Sequence, residues 1–394
     1  MGMKKCTINL VLIGVIVLLW ACAKNEIAPS ENNTDDEITV INGDFPRLLD
    51  LPPGGDNGAY DATVATDPAT GRVWMVFSRV EGPAGSGRVG THLAYSDDGG
   101  GTWNYSGVIN QPQNLSIEDL PEEFSNAVDA YWQHEVPSIV YDSGAPSNQR
   151  WRILWHRYLH VDDGIPGNDD RIIANYGWIA TKTASTPDGL ANANEEKLFS
   201  ARGYHLTQAI ESYNDTYGGV PKIRLHELSP SLSSTIAVTE PGMTSYNGYL
   251  YVGFLSRTAM DGFIELIKLD HDTGEWIYVS NLLNPTDASD LNSRWMSFSA
   301  TDLFVKETEA YLLVSPVSSL YEGSLLFKVT LENGILYKGP NGLPKILWRQ
   351  DKTAELIQSG VPTYDPGLTT TGILVGDVTL NEPQFKMYAT GVKP

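Results

Sequence analysis

The chain has 394 residues, with 48 Asp and Glu against 27 Lys and Arg, for a formal net charge of −21 at pH 7. That charge argues against nucleic acid and anionic membrane surfaces as partners, and favours neutral over polyanionic ligands. The only cysteines are Cys6 and Cys22, which leaves no cysteine nucleophile and no zinc–cysteine site in a chain whose Cys22 is modified.

The N-terminal residues have the layout of an export signal. Lys4 and Lys5 form a positive n-region, and residues 8–20 are apolar but too short for a comfortable membrane span. Leu19-Trp20-Ala21-Cys22 resembles a bacterial lipobox, which implies cleavage before Cys22 and lipid on its sulfur. An ordinary signal peptide is the alternative. Ala23 follows the cysteine, so no aspartate argues for inner-membrane retention, and an outer-membrane, cell-envelope location is expected. Residues 1–21 are therefore read as signal peptide and 22–37 as a polar tether. Residues 38–394 are read as a single domain large enough to hold its own core without disulfides.

Past the tether, short β-like runs bounded by turn residues recur, and long amphipathic helical patterns are nearly absent. A weak repeat pairs a short strand, opened by an acidic or polar residue, with a stronger aromatic-rich strand. Its copies begin near Tyr60-Asp61, His134-Glu135, Glu240-Pro241, Ser299-Ala300 and Asp365-Pro366. Most copies are followed by a third strand and a further turn. Five copies of a four-stranded antiparallel unit predict an all-β, five-bladed β-propeller, or six blades if one lies between the second and third copies. The longest insertion, 204–234, is expected to carry one helical piece near 205–213. A strand at 37–41 is expected to pair with 385–390 and close the ring.

One turn has a recognisable sequence. Ser96, Asp98, Gly100, Thr102 and Trp103 fit the pattern S-x-D-x-G-x-T-W. Ser and Asp can hydrogen-bond the backbone of a tight turn, glycine supplies a positive φ, and the indole can cover the hairpin. The run resembles the Asp-box of sialidases and related β-propellers. That resemblance implies a structural blade turn, usually away from the active site. Residues 185–189 and 270–276 look like decayed versions. Two departures separate the chain from sialidases. Their first blade opens on a Tyr-Arg-Ile-Pro-like motif, whereas this chain has Tyr60-Asp61-Ala62-Thr63, an anion in place of the cation. The loop from Glu81 to Gly87 also lacks the expected acid/base aspartate. Arg79, Arg88, Arg257 and Arg294 are the candidates for a carboxylate clamp, with surface ion pairing and stacking against aromatics as the alternative.

In a propeller, residues at the start of each blade's first strand lie near one mouth of the channel. Asp61, Glu135, Glu240, Asp302 and Asp365 occupy such positions. Asp61, Glu135 and Glu240 resemble, in order, the acidic residues of five-bladed arabinanase- and xylosidase-type glycosidases, with Glu in place of Asp at the second position. The resemblance implies a catalytic set for glycoside hydrolysis. The alternative is a non-catalytic glycan- or protein-binding lipoprotein whose carboxylates cap strand starts. Trp132, Trp295 and Tyr364 are candidate sugar-stacking platforms beside these positions. His134 is a candidate proton shuttle or donor. His156 and His160 are four apart, but on a strand-and-loop pattern rather than a helix and without the H-E-x-x-H motif, so no metal is assigned. Calcium is compatible with channel carboxylates but has no assignable place. The expectation is a carbohydrate ligand, no cofactor and a monomer.

Overall fold

The computed structural model describes residues 47–49, 58–81, 87–165, 171–201, 207–259, 261–353, 356–378 and 385–394. Five small, mostly antiparallel sheets form a five-bladed β-propeller. Blade one comprises Ala59–Thr66, Val73–Glu81, Arg88–Ser96 and Asn104–Asn110. Blade two comprises Asp129–Tyr141, Trp151–Asp162, Arg171–Ala184 and Glu196–Ser200, flanked by Gln113–Asn114 and by Ile223–Arg224, which pairs in parallel. Blade three comprises Ala237–Tyr246, Tyr249–Arg257, Gly262–Asp270 and Trp276–Leu283. Blade four comprises Ser297–Lys306, Glu309–Val317 and Gly323–Thr330, with Ile335–Leu336 and Ile346–Asp351 sharing its outer edge. Blade five comprises Gly360–Thr363, Leu374–Val378 and Phe385–Ala389.

The fourth strand of blade five comes from the other end of the chain. Arg47–Leu48 pairs antiparallel with it, Arg47 opposite Ala389 and Leu48 opposite Tyr388. The ring is thus closed by both ends of the domain, as expected, but at 47–48; the expected strand at 37–41 lies outside the described residues. Each blade is covered on both faces by its neighbours, so its central strands are buried almost continuously rather than alternately. Val73-Trp74-Met75-Val76-Phe77 is the clearest case. Among the described residues, no blade lies between the second and third copies. That stretch folds as a helix, Gln208–Gly218, and a short helical turn, Pro230–Ser234. The helix lies a few residues later than expected; its N-cap is Thr207, whose side chain accepts from the Ile210 N–H.

The Ser96–Trp103 run, read above as an Asp-box, is the hairpin between the third and fourth strands of blade one. Asp98 Oδ1 accepts from the Thr102 N–H at 2.8 Å and from the Ser96 hydroxyl at 2.8 Å, and its Oδ2 accepts from the Thr102 hydroxyl at 2.8 Å. Ser96 Oγ accepts from the Gly100 N–H at 2.8 Å. Trp103 is buried in a cluster shared with blade five. The turn also clips onto that blade, because the Thr370 N–H donates to Gly99 O at 2.9 Å and the Thr370 hydroxyl to Asp98 O at 2.6 Å. A Cβ on Gly100, at φ +91°, would meet Thr371 Oγ1 at 2.4 Å. The two runs that resemble it, 185–189 and 270–276, fall at the equivalent turns of blades two and three.

Every inner strand carries a bulge at the same point. The pairing slips between Tyr60 and Thr63, Glu135 and Ser138, Thr239 and Gly242, Ser299 and Asp302, and Gly360 and Thr363. Within each slip one non-glycine residue adopts a left-handed conformation: Asp61 (φ 52°), Val136 (52°), Glu240 (53°), Ala300 (56°) and Val361 (48°). In three blades the next residue is proline (Pro137, Pro241, Pro362), which has no N–H to lose from the broken ladder.

The Asp-box hydrogen bonds make a direct prediction. Asp98→Ala leaves the Thr102 N–H without its acceptor and is expected to cost about 1–3 kcal/mol, and Gly100→Val more, through clash and positive φ. Urea denaturation followed by tryptophan fluorescence measures both. Stability equal to wild type in both variants would remove the Asp-box as a clip between blades one and five.

Candidate active site

The bulges re-aim side chains that a regular strand would point into the blade interface. Asp61 and Glu240 are the left-handed residues of blades one and three, whereas Glu135 sits one residue before Val136, the left-handed residue of blade two. The two glutamates are therefore not at equivalent positions, as the repeat implied. All three nonetheless converge: the charges of both Glu135 and Glu240 act on the Asp61 carboxyl, and that of Glu240 acts on Glu135. Asp61 and Glu240 are each 5% exposed, and Glu135 is partly exposed.

Their partners differ. The Ser78 hydroxyl bonds the Asp61 carboxyl, while its oxygen accepts from the Val136 N–H at 3.0 Å. Glu135 Oε2 accepts from the Tyr158 hydroxyl at 2.6 Å. Glu240 is fully engaged: Oε1 accepts from the Tyr321 hydroxyl at 2.9 Å, and Oε2 from the Ala300 N–H at 2.5 Å and from the Ser299 hydroxyl. Tyr60, Tyr158 and Tyr321 surround the cluster, and burial holds their hydroxyls well above the usual phenol range, so they remain donors. Tyr60 donates to Gln358 Oε1 at 2.9 Å and meets the Phe385 ring edge-on at 5.4 Å. Two glycines make room for these rings. A Cβ on Gly360 would lie 2.7 Å from Tyr321 Cδ2, and one on Gly376 2.6 Å from Tyr60 Cε2.

Burial, followed by the charges of Glu135 and Glu240, pushes the Asp61 carboxyl well above the usual carboxylate range. Burial also raises Glu135, to about 7, against the lowering effect of the Tyr158 hydrogen bond and with that of Glu240's charge. Crowded carboxylates in a water-poor site cannot all ionise at neutral pH, so the cluster retains a proton beside a carboxylate. A pair of that kind can donate one proton and accept another.

The remaining expected site residues lie elsewhere. Trp132 is buried, flanked by Trp178 at 4.9 Å and the Arg157 guanidinium at 5.3 Å; it is core, not a sugar platform. Trp295 is buried on Phe298, with Arg349 at 5.2 Å from its ring. Tyr364 packs edge-on against Phe304 between blades four and five. Their amphipathic rings suit a platform on paper, but inter-blade packing takes up their faces. Asp365 accepts from the Thr66 hydroxyl and from the Gly367 N–H, joining blades five and one at the strand ends away from the bulges. Asp302 accepts from the Thr363 hydroxyl at 2.8 Å and holds blade four to blade five. His134 is buried, its Nδ1 accepts from Trp155 Nε1 at 2.9 Å, and burial holds it well below the usual imidazole range, so it stays neutral. Arg79 lies 3.6 Å from Glu81, Arg257 ends the second strand of blade three, and Arg294 is exposed. These arginines form no common clamp. Among the described residues, no group of three or more His, Cys, Asp or Glu side chains is arranged to hold a metal ion.

Sequence reading did not find Tyr60, Tyr158, Tyr321, Ser78 or Ser299. The usable signals were Tyr60 beside Asp61, and a proline inside a strand that otherwise reads as central, as at Pro137, Pro241 and Pro362.

The raised carboxyl of Glu135 has a thermodynamic consequence. It binds its proton more tightly in the folded than in the unfolded chain. The stability it contributes is therefore complete below about pH 4.5 and is lost as pH rises to about 7. Asp302, pushed by burial to about 7, acts in the same direction. In Glu135→Gln, stability from urea melts is expected to fall less steeply over this window than in wild type. An unchanged slope would contradict the buried, coupled site.

No family model matches the chain, and no curated protein matches it. Among solved structures it is similar to a thermostable family-43 glycoside hydrolase (12% identity, 86% of this chain and 91% of that one, TM-score 0.48). It is also similar to a family 117 glycoside hydrolase of the marine bacterium Zobellia galactanivorans (13%, 88% and 89%, TM-score 0.46). A third is the native arabinanase of Bacillus subtilis (13%, 85% and 94%, TM-score 0.43). At these identities the likeness concerns the course of the chain and not its chemistry.

Proposed function

We propose that this chain is a glycoside hydrolase, with Asp61 and Glu135 as its acid and base. The observation that carries the reading is the convergence of carboxyls from neighbouring blades in one buried site, where Asp61 is held well above the usual range and Glu135 near 7. Asp61, held well above the usual carboxylate range by burial and by the charges of Glu135 and Glu240, is suited to protonate the glycosidic oxygen. Glu135, stabilised by the Tyr158 hydroxyl and partly open to the channel, is suited to act as the carboxylate that activates water or attacks the anomeric carbon. Glu240 has both oxygens occupied by donors and serves as a positioning residue, adding negative potential where positive charge develops on the sugar ring. Sialidase chemistry is not part of the proposal, because Asp61 stands where that reaction needs a cation.

The same occupancy of Glu240 favours a second reading, a propeller that binds glycan without turning it over. A panel of aryl glycosides separates the two. Under the hydrolytic reading, Asp61→Asn and Glu135→Gln each lower kcat by about 10²–10⁴-fold while the variants remain folded by circular dichroism. The rising limb of the pH–rate profile lies near 7 and reports Glu135 ionising. Near-zero turnover in wild type and variants alike would overturn hydrolysis and leave binding.

Cys22 is proposed to carry a lipid that anchors the domain to the outer membrane through the 22–37 tether. Cys22→Ser is expected to move the protein from the membrane to the soluble fraction. Equal membrane recovery of both forms would exclude the anchor.

A further inference from the structure

The chain linking blades two and three folds back over blade three. Its Pro230–Ser234 turn and residues 284–287 wall a cavity of about 720 Å³, within the usual size range of ligand sites. The floor is the outer half of blade three. Glu265, only 4% exposed, accepts from the Tyr278 hydroxyl at 3.0 Å. Phe263, Ser234, Thr258 and Asn281 complete the approach to it, and no lysine or arginine lines the cavity.

Sheet register locates this cavity relative to the carboxylate cluster. The bulge at Glu240 and Pro241 lies opposite Phe254, and Phe254 pairs with Glu265. Glu265 is thus two strands outward from Glu240 at the same height, about 10 Å by strand spacing. The cavity is built at the strand ends nearest the bulges, where the second strand ends at Arg257 and the third begins at Gly262.

The lining chemistry restricts the ligand. Hydroxyls and amides offer hydrogen bonds to a polyol, and Phe263 and Tyr278 offer ring faces to C–H surfaces. Asp261, Glu265 and Asp287 repel anions, and no basic side chain would pair with a uronate or sulfate. Burial raises Glu265 to about 7, so near neutrality it can donate as well as accept a hydrogen bond.

We propose that this cavity is a second saccharide subsite, holding neutral sugar units of a polysaccharide that extends from the carboxylate mouth. The proposal rests on the carbohydrate reading above, and deepens it by making the substrate a neutral polymer rather than a short or acidic glycan. The insertion before blade three is then a wall of the substrate path.

Affinity gel electrophoresis of the full chain in arabinan, arabinoxylan, galactan and β-glucan tests it, with polygalacturonate as anionic and spermidine as cationic control. Wild type and Asp61→Asn are expected to be retarded alike by at least one neutral polymer. Phe263→Ala and Thr258→Trp, which remove a ring face and fill the cavity, are expected to weaken that retardation at least tenfold. Their turnover of small aryl glycosides is expected to stay at the wild-type level. Two substitutions at half-exposed positions guard against one failing to fold. Retardation lost in both while wild-type protein hydrolyses no aryl glycoside would leave the subsite standing and the hydrolytic reading fallen. Hydrolysis with unaltered retardation in the variants, binding of spermidine or polygalacturonate alone, or no retardation of wild type would each overturn the subsite.

Discussion

A bulge in a propeller's inner strand frees a backbone N–H in the most buried part of the ring, and that N–H must find an acceptor. Here three are met by side chains of the preceding blade: Val136 by Ser78, Ala300 by Glu240 and Val361 by Ser315. These three bulges are therefore held by the neighbouring blade rather than by their own. A left-handed non-glycine residue costs about 1–3 kcal/mol and persists only where its surroundings over-determine it. Val136 and Val361, both β-branched, show how firmly the ring imposes this conformation.

The carboxylate cluster is a by-product of that constraint. In blades one and three the left-handed position carries Asp61 and Glu240, and in blade two the preceding position carries Glu135. Because Glu240 caps the Ala300 N–H, one member of the cluster is also part of the scaffold. Its position is locked and its charge acts on its two neighbours, whose partners among the described residues are the hydroxyls of Ser78 and Tyr158. The tyrosines complete the arrangement. The size of Tyr321 and Tyr60 requires glycine at 360 and 376, so the strands of blade five bear on the site, and the charge of Asp377 in blade five also acts on Tyr60.

The distance between Asp61 and its partners depends on the ring staying shut. Three features at the seam between blades five and one serve that end: the Arg47–Leu48 strand, the contact of Asp365 with Thr66, and the Asp-box clipped onto Thr370. All act on the blade that carries Asp61 or on its neighbour across the seam. The motif that is most recognisable in the chain thus supports the site mechanically from the far end of the blade.

Much of the architecture was legible because it is local and periodic. Short β runs, turn residues and a repeated strand pair are enough for five four-stranded blades, and S-x-D-x-G-x-T-W identifies a hairpin through its own hydrogen bonds. The candidate carboxylates were also legible, since acidic residues recurred at the openings of successive copies. Their roles were not. A one-residue offset between Glu135 and Glu240 follows from where a bulge falls, which depends on pairing between strands and on the neighbouring blade. Trp132, Trp295 and Tyr364 look like platforms in one dimension and are core in three, because only packing decides which face of a ring is covered. The order of residues along the chain thus determined the blades and the identity of the acids. Tertiary structure alone decided which acids share a field, which are saturated by donors, and that a cavity opens two strands away, because burial and long-range hydrogen bonds exist only once the ring has closed.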